Sequence, residues 1–117
     1  MAKEKSLEQR SLEKLQEWGY TATITQYYDK RTYRKHDLFG FVDVMGAHPE
    51  EMGFLLVQVT DPGHMKARIK KIYDSPHLEA ILAAGNRVVV HTWQQIPNTD
   101  NWSMGVIEIK NGEAASP

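Results

Sequence analysis

The sequence predicts an α/β (α+β) domain, a mixed β-sheet flanked by helices in the order α-β-β-β-α-(α)-β-β. Three observations carry this prediction. An amphipathic helical segment comes first, three strand-like segments follow with short polar connections, and a basic helical segment then separates two strongly apolar strands. Short turns join antiparallel neighbours, whereas a helical crossover between two strands of one sheet places them parallel.

Each element has its own signature. In "SLEQRSLEKLQEWGY", Leu12, Leu15 and Trp18 recur at helical spacing, Ser6 is placed to cap the start with Gln9 three residues on, and Gly19 marks the stop. "YTATITQYY" alternates with β-branched and aromatic residues and reads as a strand; "DKRTYRKHD" after it reads as a polar, basic loop or hairpin end. "LFGFVDVMGA" gives a second strand, "HPEEMG" a turn, and "FLLVQVT" a third strand. "MKARIKKIY" puts Met65, Ile69 and Ile72 on one helical face. "SPHLEAILAAG" is a short helix with Ser75 as cap, Pro76 in its first position and Gly85 at its end. "NRVVVHTW" and "NWSMGVIEIK" are the last two strands, with Trp93 and Trp102 read as core aromatics or, alternatively, as base-stacking groups.

The 117 residues fit one domain, 1–117, with a core of about 7–110 and a tail, "NGEAASP" at 111–117, expected to fray. A hydrophobic fraction of 41%, a charged fraction of 25% and a net charge of -1 exclude a largely disordered chain. Cysteine is absent, which removes disulfides, thiolate zinc sites and cysteine nucleophiles and favours a cytoplasmic location. "MAKEKSLEQRSLEKL" has no apolar run of the signal-peptide kind, and no segment approaches the length of a membrane span, so no membrane partner is expected.

The charges are unevenly placed. Lys30, Arg31, Arg34 and Lys35 precede a stretch from Asp37 to Asp61 that has five acids and no Lys or Arg; Lys66, Arg68, Lys70 and Lys71 follow. An acidic centre between basic flanks suits a metal site gripped on either side by phosphate contacts, and it equally suits ordinary solvated faces. The histidines, among them His64 in the turn after the third strand, have no HxxxH or HExxH spacing. His64 is a surface residue, a phosphate contact or a proton-transfer group on this reading.

Two sites inside apolar strands need explanation. Gln58 and Thr60 share one face of "GFLLVQVT" with Phe54 and Leu56, and Asp43 interrupts "FVDVM". A buried amide without hydrogen bonds costs about 1–3 kcal/mol, so these groups need each other, the basic loop, or a wet cleft. Pairing of strands two and three around "AHPEEMG" would bring Asp43 and Gln58 to the same end of the sheet.

The ordered set "LxxLQEWGY", "KHDLFGFVDV", "GFLLVQVT", a basic helix and "AGNRVVVHTW", covering about residues 7–95, resembles the PD-(D/E)XK nuclease superfamily, especially its small Holliday junction resolvase-like and phage-associated members. The resemblance implies a restriction-endonuclease-like core and a metal-dependent DNA endonuclease, with Mg²⁺ or Mn²⁺ as cofactor, DNA including branched DNA as partner, a homodimer as assembly, and the cytoplasm of a bacterial or phage-infected cell as location. Asp43 matches the family's Asp. Gln58 and Thr60 stand where an acid and a Lys are the pattern, and Glu8 is the position for the acid of the first helix, or else a solvated helix charge. By the same resemblance Asp43, Gln58, Thr60 and Lys66 form the catalytic set, with Asp43, Gln58 and Glu8 as metal ligands. Lys30, Arg31, Arg34, Lys35, His64, Arg68, Lys70 and Lys71 would contact DNA.

The family's spacing has a physical reason: residues i and i+2 share a strand face, so an acid can hold a hard cation while the Lys beside it steadies charge. Gln58 keeps a carbonyl oxygen but no charge, and Thr60 a hydroxyl but no cation. Asp37 and Lys66 are the substitutes available in sequence. Two other functions fit the same residues: a catalytically inactive nuclease-fold protein that binds DNA or regulates, and a phage or host protein-interaction domain offering "WGYTATITQYY" as an edge strand.

Overall fold

The computed structural model describes residues 4–110; the tail predicted at 111–117 lies outside them. The elements are α1 (Leu7–Glu17), β1 (Thr21–Ile24), β2 (Tyr27–Asp29), β3 (Arg34–His36), β4 (Val44–Ala47), β5 (Leu55–Thr60), α2 (Met65–Tyr73), α3 (Leu78–Ala83), β6 (Arg87–Gln95) and β7 (Trp102–Ile109). Five strands form one mixed sheet in the order β1-β4-β5-β6-β7, and β2 and β3 form a separate two-stranded hairpin. Among the described residues only β5 and β6 pair in parallel, joined through α2 and α3 as the crossover argument requires. The α+β class and the mixed sheet flanked by helices are as the sequence predicts.

Local chemistry sets the helix ends. The Ser6 hydroxyl accepts from the Gln9 amide at 3.1 Å, and Gly19, at φ +94°, lets the chain turn so that Gly19 N–H reaches Gln16 O and Tyr20 N–H reaches Leu15 O, both at 3.0 Å. That is a Schellman closure. Gly85, also at φ +94°, closes α3 the same way through Leu82 O and Ile81 O. At the start of α2 the Asp61 carboxylate accepts the His64 amide at 3.0 Å.

Side-chain alternation divides the core into two layers across the sheet. Leu55, Val57, Val59, Val89 and Trp93 pack with Leu15 of α1, while Leu56, Val88 and Val90 pack with Ile72 of α2 and Leu78 and Ile81 of α3. All six residues of β5 are buried. Its helix-side neighbours Gln58 and Thr60 are therefore held in the interior at 2% and 5% exposure. Trp18 is the exception to the predicted α1 face: it lies at the cap and is 48% exposed.

Two predicted strands are shorter than their sequences suggest. The first breaks after Ile24, because the Thr25 hydroxyl and amide are taken by Val42 O and Asp43 O, each at 2.8 Å, and the chain leaves the sheet to form the hairpin. The second begins only at Val44, since Phe39 and Gly40 adopt left-handed φ of 55° and 82° and fold residues 38–42 into a tight turn. This turn breaks the two-residue alternation, which is why Phe41 and Val42 join the same core layer. At the far end of β5, Gly53 has φ +70°, and a Cβ there would fall 2.3 Å from Gly85 O. Phe54 N–H donates to Asn86 Oδ1 and Arg87 N–H to Phe54 O, both at 2.9 Å, so the starts of β5 and β6 are fastened together.

Candidate metal and phosphate site

Asp43 sits where β4 ends and β5 continues. Val44 opposite Val57 is the last pair of their ladder on that side, which leaves the Val59 amide without a backbone acceptor on the β4 edge. The Asp43 carboxylate takes its place. Oδ2 accepts from Val59 N–H at 2.9 Å and from the Gln58 side-chain amide at 2.7 Å. Asp43 and Gln58 thus meet at one end of the sheet, as their spacing around the turn suggested.

The site is only half satisfied. Asp43 Oδ1 and Gln58 Oε1 are buried with no hydrogen-bond partner among the described residues. Both are acceptor oxygens whose hydrogen-bonding capacity the described residues leave unused. Burial pushes the Asp43 carboxyl up to about 7, partly offset by the Val59 N–H; nearby Asp37 and the charge of Glu8 push further in the same direction.

Asp37 arrives from the end of β3. Its Oδ1 accepts from the Gln26 amide at 2.9 Å, and Lys71 Nζ stands 3.8 Å from its Oδ2. Asp37, named from sequence only as a substitute acid, therefore belongs beside Asp43. Lys71, expected at a phosphate, is the ammonium that reaches this acidic pair. Gln26 carried no sequence signal at all, because its partner lies across the hairpin. Lys66 is exposed in the first turn of α2 and makes no ion pair among the described residues.

The other predicted residues spread outward. Glu8 is partly buried in the first turn of α1, close enough for its charge to raise the Asp43 carboxyl. Thr60 Oγ1 has only a long contact of 3.4 Å to Asp61 O. His64 is turned back onto Asp61, with Nδ1 2.9 Å from Oδ1, an arrangement that holds the Asp61 carboxyl below its ordinary value. Lys70 pairs with Asp74 along α2, and Arg68 is exposed. Lys30, Arg31, Arg34 and Lys35 all project from the hairpin.

Can these residues hold a divalent cation? No group of three or more His, Asp or Glu side chains among the described residues is arranged for it. Two carboxylates and one amide oxygen remain, from Asp43, Asp37 and Gln58, and hard cations such as Mg²⁺ accept oxygen donors of this kind with water filling the rest. Without a third carboxylate, these donors offer a cation less charge. Comparison with family models, curated proteins and solved structures finds no match to this chain.

A second buried polar cluster lies on the α1 side of the sheet. His91 Nδ1 is 2.9 Å from Ser11 Oγ, and the Trp93 indole N–H donates to the same hydroxyl at 2.8 Å. Burial alone lowers His91 to about 4, so the ring is neutral. No polar atom of these three residues is buried without a partner. No helix among the described residues is long and apolar enough to cross a membrane.

Proposed function

We propose that this protein is a divalent-cation-dependent endonuclease that hydrolyses phosphodiester bonds in DNA, branched DNA included. The observation that carries the reading is the pair of buried, unpartnered oxygens, Asp43 Oδ1 and Gln58 Oε1, beside the carboxyl of Asp37. Asp43, Asp37 and Gln58 would hold Mg²⁺ or Mn²⁺. The bound cation would lower the pKa of water and neutralise charge on the scissile phosphate. Lys71, through its place at Asp37, would balance the acidic pair and steady the phosphate's developing charge, the role that the i+2 lysine has in the resemblance. Because the Asp43 carboxyl is pushed up to about 7, cation binding below that pH would displace a proton, so it would strengthen as pH rises toward about 7 and level off above it.

One observation favours a second reading, an inactive DNA-binding relative. The Gln58 amide already donates to Asp43 Oδ2 at 2.7 Å, which gives that oxygen a neutral partner without any cation. A single experiment separates the two. Supercoiled, linear and four-way-junction DNA is incubated with the protein and Mg²⁺ or Mn²⁺, beside Asp43→Asn. Cation-dependent cutting that disappears in the variant supports the nuclease. Salt-sensitive binding with no cutting by either protein supports the inactive relative.

A further inference from the structure

Among the described residues the β2–β3 hairpin pairs with no strand of the main sheet. Its ten residues, Tyr27 to His36, carry four Lys or Arg against one acid. That acid, Asp29, is spent on the turn: its Oδ1 accepts the Arg31 amide at 2.9 Å, and its main-chain oxygen accepts from Tyr33 N–H at 2.8 Å. Its carboxylate also lies 3.6 Å from Arg31 Nε, and Lys30, Arg34 and Lys35 are exposed with no ion pair among the described residues.

Aromatic rings lie among these charges. Tyr27, Tyr28 and Tyr33 are 59%, 54% and 80% exposed. Tyr28 stands opposite Lys35 on one face of the hairpin. On the other face Tyr27 stacks on His36 at 5.3 Å, leaving its outer surface open. Tyr33 holds a left-handed φ of 58° at the turn, so the hairpin accepts an unfavourable backbone at a bulky residue while leaving that ring uncovered. Exposed rings spaced between cations match a strand whose phosphates repeat along its length and whose unpaired bases offer flat faces. A duplex keeps its bases stacked inside and would meet the cations alone. An acidic peptide would likewise use the charges and leave the rings idle.

We propose that the hairpin is an arm that grips unpaired nucleic acid strand, with Tyr28 and Tyr33 as stacking surfaces and Lys30, Arg34 and Lys35 as phosphate contacts. The inference rests on the nucleic-acid half of the function proposed above and not on its chemistry. Geometry links the arm to the acidic centre: Gln26, just before β2, donates to Asp37, just after β3, at 2.9 Å. A strand held on the arm is thereby led toward Asp37 and Asp43.

The test is fluorescence anisotropy of the full chain in EDTA, which silences cleavage, with a labelled 20-nucleotide oligo-dT, a 20-base-pair duplex, and poly-L-glutamate as competitor. Oligo-dT should bind at least about tenfold tighter than the duplex. Tyr28→Ala and Tyr33→Ala should each weaken oligo-dT binding roughly fivefold or more without changing duplex binding, and Tyr33→Phe should restore it. Replacing Lys30, Arg34 and Lys35 together with Gln should reduce the salt slope on oligo-dT by about 2. Equal or tighter duplex binding, tyrosine variants within twofold of the parent, or poly-L-glutamate competing as well as oligo-dT would each overturn the arm. Strand binding that follows this pattern in a protein that never cuts DNA would leave the arm standing and remove the nuclease.

Discussion

Two polar clusters lie buried on opposite faces of the same sheet, and they differ in how completely they are satisfied. On the α1 side, Ser11, His91 and Trp93 close their own network with neutral groups. On the other, Asp43 and Gln58 leave one oxygen each without a partner, and a carboxyl is held near neutrality by burial and by other acids. A closed neutral network has no further use for a ligand and is explained by folding alone. An open one is held in place by the fold at a cost, because unpartnered buried acceptors forgo hydrogen bonds that water would give them. Folding alone explains the first cluster, and the proposed function rests on the second.

The sharpest way to break that assignment is to alter each cluster in turn. Asp43→Asn should reduce cation-dependent DNA cleavage at least about 100-fold, the upper end of what losing support around a metal costs, while the protein stays folded by circular dichroism. Ser11→Ala should do the reverse. It strips the partner from the Trp93 indole and the His91 ring, and should destabilise the fold by about 1–3 kcal/mol in urea unfolding with cleavage within about twofold of the parent. If Ser11→Ala were the variant that abolished cutting, the assignment would be inverted.

A smaller effect separates two lysines of α2. Lys71→Met should lower the cleavage rate about tenfold, because the ammonium beside Asp37 is lost, whereas Lys66→Ala should remain within about twofold. The opposite ranking in single-turnover assays would return the role to Lys66.

The pH dependence of stability sharpens the comparison further, since the clusters titrate in opposite senses. Asp43 has a folded value of about 7 against an ordinary 3.8, so its proton is held more tightly in the fold; that contribution is complete below about pH 4 and is lost as pH rises to 7. His91 has a folded value of about 4 against an ordinary 6.5; its contribution is complete above about pH 6.5 and is lost as pH falls toward 4. Between pH 4 and 6.5 the two slopes oppose each other. The parent should therefore show little change in urea midpoint across that window. Asp43→Asn should gain stability with rising pH, and His91→Gln should lose it, each by about 1 kcal/mol per pH unit. Parallel slopes in the two variants would show that these groups do not control the titration.

What the sequence made legible follows from how local each signal is. The α1 cap at Ser6, the Gly19 stop and the parallel β5–β6 pair depend on neighbours or on a single crossover, and the structure has them. The approach of Gln58 to Asp43 needed only a hairpin register. Trp18 was misplaced because helical spacing continues one step beyond the point where the helix turns its face away. Asp43 was read as interior to a strand because nothing in "LFGFVDV" announces two consecutive left-handed residues, one of them Phe39. The satisfied cluster escaped notice altogether: Ser11 and His91 are eighty residues apart in the chain, and neither residue type stands out alone. Lys71 could be told from its neighbours on α2 only once Asp37 was placed across from it.

The fastening of Gly53 against Gly85 sits at the opposite end of β5 from Gln58 and Thr60. The strand therefore behaves as a cantilever, clamped at its root and chemically editable at its tip. Exchanging the side chains at 58 or 60 alters what the tip can hold while the tip stays where it is. A side chain added at Gly53 would act in reverse: it would force the root apart and carry every polar atom of the site with it, although none of them is touched. The place least tolerant of change in this site is thus a residue with no side chain at all.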